Sequence, residues 1–412
     1  MADTENNKNS NSPAERAQDR NEVSSHAERR AKAPQGNSPA ERAQGNAPAL
    51  RFPGFTEPWK KTTLGNCCGE MDYGMNAPAK EYDGVNKYIR ITDIDENSSE
   101  YNCASIVSPD GTLLDKYLVN ENDILFARTG SSTGKAYLYR PTDGRLYFAG
   151  FLIRANVKDD NESNFIYHQC KLKRYWNWVR IMSARSGQPG INSQEYSTYT
   201  IYSTSKEEQI KISSLLNLLD ERIATQRRLI EKFETLIKGI AEFLTTKTPN
   251  TKIADCLVCH SSTLQENQVS PSGEYRVYGA SGICGYTDSP EVADDSILIV
   301  KDGSGVGTVT YASGEYSVIG TSNYLTAKNG YLLRYLYYCL MCFNFTPYKT
   351  GMAIPHIYFK DYGKAKIYCP DIEEQRKIAA ALSSIESKIE IERTILQQHA
   401  MQKQYLLFQM FI

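Results

Sequence analysis

Two stretches of the chain place their hydrophobic residues at helical spacing. Residues 206–247 hold no proline and one glycine, Gly239. One set of seam positions there is Ile212, Leu219, Gln226, Phe233 and Ile240; the other is Leu216, Ile223, Ile230, Ile237 and Leu244. Nine of these ten are apolar, which predicts a coiled-coil helix of about five heptads. The same register returns 166 residues later. It runs through Ile378, Ile385, Glu392, His399 and Leu406, interleaved with Leu382, Ile389, Leu396, Lys403 and Met410, and seven of these ten are apolar. An ordinary amphipathic helix accounts for one copy, but not for the same register at the same offset. With the ten positions taken in chain order, the fifth is polar in both copies, Gln226 and Glu392. In antiparallel helices with matched ends they fall near mid-bundle, where a polar pair fixes register at some cost in stability.

Both helices begin alike. SKEEQIKISSLL (Ser205 to Leu216) matches DIEEQRKIAAAL (Asp371 to Leu382), and each opens with a capping residue followed three positions on by Glu208 or Glu374. That pattern predicts two capping boxes, with the acidic first turns suited to the positive end of the helix dipole. Before each helix lies a region rich in β-branched and aromatic residues in short runs between turn signals, residues 50–205 and 248–370. These regions repeat as well. ENDILFARTGSSTGKAYLY (Glu121 to Tyr139) aligns with DDSILIVKDGSGVGTVTYA (Asp294 to Ala312), so that Gly130 and Gly134 fall on Gly303 and Gly307. ARSGQPGIN (Ala184 to Asn192) parallels YKTGMAIPH (Tyr348 to His356). The organisation is domain, helix (206–247), domain, helix (371–412), a tandem repeat of α+β units.

Residues 1–49 differ from the rest. They lack Trp, Tyr, Phe and Ile, balance seven basic against seven acidic residues, and carry the octapeptide NSPAERAQ twice, at Asn11 to Gln18 and Asn37 to Gln44. Such a segment cannot bury enough apolar surface to offset its ordering entropy, so it is expected to be a disordered low-complexity tail. With 47 basic and 48 acidic residues the whole chain has a net charge of -1, which argues against a generic electrostatic nucleic-acid binder. The balance persists locally: 18 basic and 18 acidic residues over 51–205, and 9 and 10 over 248–370. No apolar run spans a membrane and no apolar signal segment opens the chain; the ten cysteines are then expected to be reduced thiols in a cytoplasm.

The opening LRFPGFTEPW (Leu50 to Trp59), the two glycine-centred DIL-type segments, the EEQ helix starts and the duplicated heptad helices together resemble a type I restriction-modification specificity subunit. The resemblance covers residues 50–412. It implies two target-recognition domains held apart by two long antiparallel coiled-coil helices in a pseudo-two-fold repeat. Each domain would read one half of a split, asymmetric site in double-stranded DNA. It also implies that the helices dock two modification (methyltransferase) subunits, which restriction (endonuclease/translocase) subunits join. S-adenosylmethionine, ATP and Mg would then belong to those partners, with no cofactor, metal or catalytic residue in this chain. Partner subunits would also supply part of the grip on phosphate. The class that competes with this reading is a tandem scaffold with a coiled-coil dimerisation stalk and no DNA role.

Base reading needs paired donors and acceptors on rigid loops. In the first domain the candidates are Arg128, Thr129, Ser131, Ser132 and Lys135 around two glycines, with Arg185, Ser186, Gln188 and Asn192 on a second loop. Their counterparts in the second domain are Lys301, Asp302 and Ser304, then Lys349, Thr350, Met352 and His356, with Lys360 just after. Several strings imitate other chemistry. GSSTGK (Gly130 to Lys135) has three residues between its glycines and Ala136 after the lysine, which does not make a phosphate loop. Cys256 and Cys259 suggest zinc only if Cys339 and Cys342 join them, and those two lie in an apolar helical run. Pro370-Asp371 with Glu386 and Lys388 copies a nuclease set but lies along a helix. Tyr175, Trp176 and Trp178 are expected to pack against a sheet rather than stack on bases.

Overall fold

The computed structural model describes residues 47–412 except Asn97, Arg185, Ser186 and Met352. The tail, as far as residue 46, and three of the candidate contacts (Arg185, Ser186 and Met352) therefore lie outside the described residues.

Each head is built on a four-stranded antiparallel sheet. In the first head its strands are β1 (Cys68–Tyr73), β2 (Asp123–Ala127), β3 (Ala136–Leu138) and β4 (Leu152–Val157), in spatial order β1-β4-β2-β3. In the second they are β5 (Leu257–Ser261), β6 (Ser296–Val300), β7 (Val309–Ala312) and β8 (Ser322–Ala327), in order β5-β8-β6-β7. The orders are the same, so the repeat read from one glycine segment extends through the whole sheet. A small parallel pair accompanies each sheet: Lys87–Ile89 with Leu146–Phe148, and Tyr275–Gly279 with Tyr316–Val318. The central strands β2 and β6 are buried along their length, as their continuous apolar runs require.

Helices α1 (Ser163–Gln169) and α2 (Lys173–Met182) cover the first sheet, and α4 (Leu333–Met341) covers the second. Tyr175 is buried and Trp178 packs on Tyr196 and Tyr199, while Trp176 stays 44% exposed. Between the heads run α3 (Lys206–Thr245, 40 residues) and α5 (Ile372–Met410, 39 residues). At 1.5 Å per residue each is about 60 Å long.

The two long helices are antiparallel. Gln226 meets Glu392, Asp220 pairs with Lys403, and Glu234 pairs with Arg393 at 2.6 Å. Ile212, Leu216, Leu219, Ile223, Ile230 and Ile237 are buried on one helix, and Ile378, Leu382, Ile389 and Glu392 on the other. Phe233, Ile385 and Leu406 are half-buried. Near the end of α5 burial moves from Leu406 to Leu407, because Leu407, Met410 and Phe411 pack into the first head's core.

The pair is more than a stalk, because its ends complete the cores of both heads. Ile212 and Leu216 join Leu407, Met410 and Phe411 beneath the first sheet. Ile230, Ile237 and Ala241 join Ile378, Ala379, Leu382 and Ile389 beneath the second. The LRFPGFTEPW segment straps one end together. The Leu50 N–H donates to the Gln409 carbonyl (2.9 Å), the Lys211 ammonium lies 5.3 Å from the Phe55 ring, and Trp59 meets Phe411 edge-on at 6.0 Å. Arg51 binds Glu208 through two hydrogen bonds, 2.6 and 2.8 Å.

Ser205 and Asp371 cap their helices by accepting from the N–H groups of Glu208 and Glu374. Among the described residues neither capping box closes, because the cap N–H donates to the glutamate carboxylate at neither helix. The Glu208 carboxylate turns to Arg51 and Thr204, since a bidentate guanidinium bond is stronger than a neutral one to its own cap.

Candidate nucleic-acid interface

The two glycine loops hang from their sheets by the same bonds. In the first head the Arg128 N–H donates to the Phe151 carbonyl (3.0 Å), and the Ile191 N–H donates to the Arg128 carbonyl (2.9 Å). The Gly130 N–H donates to Pro189 (3.0 Å), and the Gly134 N–H closes the turn on Ala127 (3.0 Å). In the second head the Lys301 N–H donates to Thr321 (2.9 Å) and Ile357 to Lys301 (2.9 Å). There Gly303 donates to Pro355 (3.0 Å) and Gly307 to Val300 (2.9 Å). Each glycine loop is thus clamped to the second candidate loop of its own domain.

The second glycine of each turn is needed for two reasons. Gly134 and Gly307 have φ of 91° and 89°, where a side chain is strained. A Cβ at Gly134 would also stand 2.5 Å from Val179, and one at Gly307 would stand 3.0 Å from Phe345. The turns therefore sit hard against the elements behind them. Tyr175 and Tyr196 fasten the first from below, donating to the carbonyls of Gly134 and Ala127 at 2.8 Å each.

The heads are pinned to the helices by a second matched device. Gln209 (1% exposed) accepts from the Glu162 N–H at 2.8 Å and donates to the Thr204 carbonyl at 2.8 Å. Gln375 (2% exposed) accepts from the Leu332 N–H at 2.9 Å and donates to the Pro370 carbonyl at 2.8 Å. The glutamine of each EEQ string thus ties the helix that covers its head to the spacer. About two turns further along, His168 bonds Asn217 (3.1 Å), and in the equivalent place Tyr338 meets Ser383 (3.1 Å).

Residues 57–235 and 237–398 each match the type I restriction modification DNA specificity domain. The chain belongs to that family. A specificity subunit of the type I restriction enzyme MjaVIII from Methanocaldococcus jannaschii is 27% identical over 135 residues, which is 32% of this chain and 29% of that relative. The S subunit of a type I restriction-modification system from M. genitalium superposes with a TM-score of 0.61 at 17% identity, covering 89% of this chain and 99% of that one. A specificity-subunit (HsdS) structure from Thermoanaerobacter tengcongensis gives a TM-score of 0.37 at 20% identity, covering 88% and 98%.

Within this specificity-family fold the candidate residues separate. Arg128, Thr129 and Ser131 line or top the first turn, and Gln188 lies exposed over Gly130. Three others are committed elsewhere. Ser132 is buried within the turn (8% exposed), because the turn is pressed down on α2. Lys135 is drawn to Glu96 at 2.9 Å, its side chain only 16% exposed. Asn192 caps the short helix Ser193–Ser197, accepting from the Glu195 N–H at 2.8 Å. In the second head Lys301 and Asp302 are half-buried in the frame, and Ser304, Lys349 and Thr350 are exposed. The Thr350 hydroxyl donates to the His356 carbonyl (3.2 Å). The His356 ring lies 5.1 Å from Tyr358, over which the exposed Lys360 also sits.

The imitators have structural positions. Gly130–Lys135 is a turn leading into β3 rather than into a helix. Cys256 lies 3.7 Å from Cys369, and Cys339 is buried in the second core. Asp371 caps α5, while Glu386 binds Arg334 and Tyr338. Two residues at the first turn were missing from the sequence candidates: Tyr73, whose ring lies 4.8 Å from the Arg128 guanidinium, and Phe151, 58% exposed.

The junction beneath the first head carries a buried imidazole. Burial and the nearby Lys403 charge push His168 down to about 4, against a smaller opposing pull from Asp220 and the Asn217 bond. Its folded value lies below the ordinary 6.5, so the unfolded chain binds the proton first and stability falls as pH drops through that range. Between pH 8 and pH 5 the loss is expected to be about 2 kcal/mol. Urea denaturation across that range should show it, and His168→Asn should flatten it; an unchanged slope in the variant would assign the acid sensitivity elsewhere.

Proposed function

We propose that this chain is the sequence-reading, non-catalytic subunit of a type I restriction-modification complex. Each α+β head addresses one half of a split, asymmetric duplex site, and the α3–α5 pair sets the separation. The observation that carries this is the pair of matched loop frames, one per head, fixed to opposite ends of one rigid spacer. Two heads that differ in side chains but not in frame are suited to read two different half-sites. Helices about 60 Å long can separate two contacts by one duplex turn, about 34–36 Å.

The partners are double-stranded DNA, two modification (methyltransferase) subunits on the pseudo-symmetric helical core, and restriction subunits that join them. S-adenosylmethionine, ATP and Mg act on those partners in this reading. Among the described residues no helix is long and apolar enough to cross a membrane. The reading places the protein in the cytoplasm.

Neither head is globally basic, so counterion release from phosphate must come partly from the partner subunits. The test compares the chain alone with the chain co-purified with its methyltransferase subunit, both in physiological salt. The complex should bind a duplex carrying its site tightly and selectively, and the lone chain weakly. Nanomolar, sequence-selective binding by the lone chain, or no gain on adding the methyltransferase, would contradict the shared grip.

A further inference from the structure

The two loop frames coincide bond for bond, but the side chains around them do not. Arg128 and Lys301 leave their heads from the same station: the first residue after a buried central strand, with both backbone groups hydrogen-bonded. The strand register fixes what stands beside them. Tyr73 pairs with Ile153 in the first sheet, and Ser261 pairs with Asn323 in the second, so Tyr73 and Ser261 occupy equivalent places. Phe151 and Thr321 are likewise equivalent, since each accepts the N–H of the station residue.

In the first head the station is aromatic. The Arg128 guanidinium rests 4.8 Å from the Tyr73 ring, Phe151 is 58% exposed, and all three border a groove of about 600 Å³. In the second head the places of Tyr73 and Phe151 are taken by Ser261 and Thr321, which carry hydroxyls instead of rings.

We propose that Arg128 and Lys301 are the base-reading cations of the two half-sites, each addressing the O6/N7 acceptor edge of a guanine in the major groove. Tyr73 and Phe151 give the first head an aromatic grip that the second lacks. This assignment rests on the duplex-reading function above. Guanine is the base whose major-groove edge offers two acceptors, and arginine or lysine donors match it. Stacking on Tyr73 holds the Arg128 plane while leaving its N–H edge available. Phosphate contacts position a protein without needing a donor held in a backbone frame, whereas discrimination between bases does.

The test is methylome mapping of cells that express the full chain with its methyltransferase subunit. Arg128→Ala should relax one position in one half of the motif, discrimination there falling about 10- to 100-fold, with the other half and the spacing unchanged. Lys301→Ala should relax one position in the opposite half. Both variants leaving the motif intact would overturn the assignment, as would relaxation in the same half. If Arg128→Ala abolishes modification, Arg128→Gln decides, because glutamine pairs with adenine. A shift from guanine to adenine at one position supports the assignment, and an unchanged motif or no modification overturns it. A wild-type methylome without a split motif would instead remove the duplex-reading function itself.

Discussion

Replacing Arg51 with methionine is expected to cost about 3–5 kcal/mol, because it strands a buried carboxylate. The Glu208 side chain has no exposed surface, and that of Arg51 is 12% exposed. Burial alone would raise the Glu208 pKa, but the hydrogen bonds from Arg51 and Thr204 and the Arg51 charge outweigh it and leave the carboxyl below its usual range. A depressed folded value means the pair stabilises above the ordinary carboxylate pKa and loses that contribution as acid protonates Glu208. The gap between wild type and Arg51→Met should therefore narrow below pH 4.5. Adding Glu208→Leu should recover most of the loss at neutral pH, since no charge is left unpaired. Urea denaturation at both pH values reads this directly; a loss under 1 kcal/mol at pH 7 would show that the strap does not hold the bundle end.

The second large effect is expected at mid-spacer. Gln226 donates to the Glu392 carboxylate and to its main-chain carbonyl (3.1 Å), and Lys388 reaches the same carboxylate at 2.6 Å. The Lys388 and Gln226 hydrogen bonds hold the Glu392 carboxyl below its usual range against its burial. Leucine at both positions would extend the apolar seam and is expected to raise the melting temperature. Gln226→Leu alone should destabilise, because the Glu392 carboxylate keeps Lys388 but loses the partner that faces it across the seam. The double variant gives up the polar contact in the middle of the apolar seam, so modification should spread to sites whose spacer is longer or shorter by a base pair. Thermal melts combined with a panel of spacer lengths test both halves. A less stable double variant, or one with unchanged spacing preference, would contradict the register role.

Repetition made the architecture legible. The seam, the helix starts and the glycine segments each recur in order, and local pattern is enough to detect that. The Gln226–Glu392 contact followed from position alone, once the ends of two equal antiparallel helices are matched. In the EEQ strings the glutamate has a local role legible from its spacing to the cap, and the glutamine has none. The buried work falls to Gln209 and Gln375, whose partners Glu162 and Leu332 lie about 45 residues away in chain.

The site was less legible, for a geometric reason. Aligning the glycine segments at their own offset pairs Phe151 with Tyr324, whereas the hydrogen bonds pair it with Thr321, because the following loops differ by three residues. Charge and exposure could not be read from residue type either. Lys135 and Ser132 look available in a glycine turn, but Glu96 and the packing against α2 withdraw them. Arg51 lies 157 residues from Glu208, and no local pattern connects the two.

The central claim is that each head reads its own half-site, and a head exchange tests it most directly. Residues 51–205 would be replaced by those of a relative, the hybrid expressed with the methyltransferase subunit, and methyladenine mapped across the genome. The account predicts a split motif with one methyladenine on each strand, in which the exchange alters one half and leaves the other half and the spacing in place. A continuous palindrome, or a change in both halves, would contradict it.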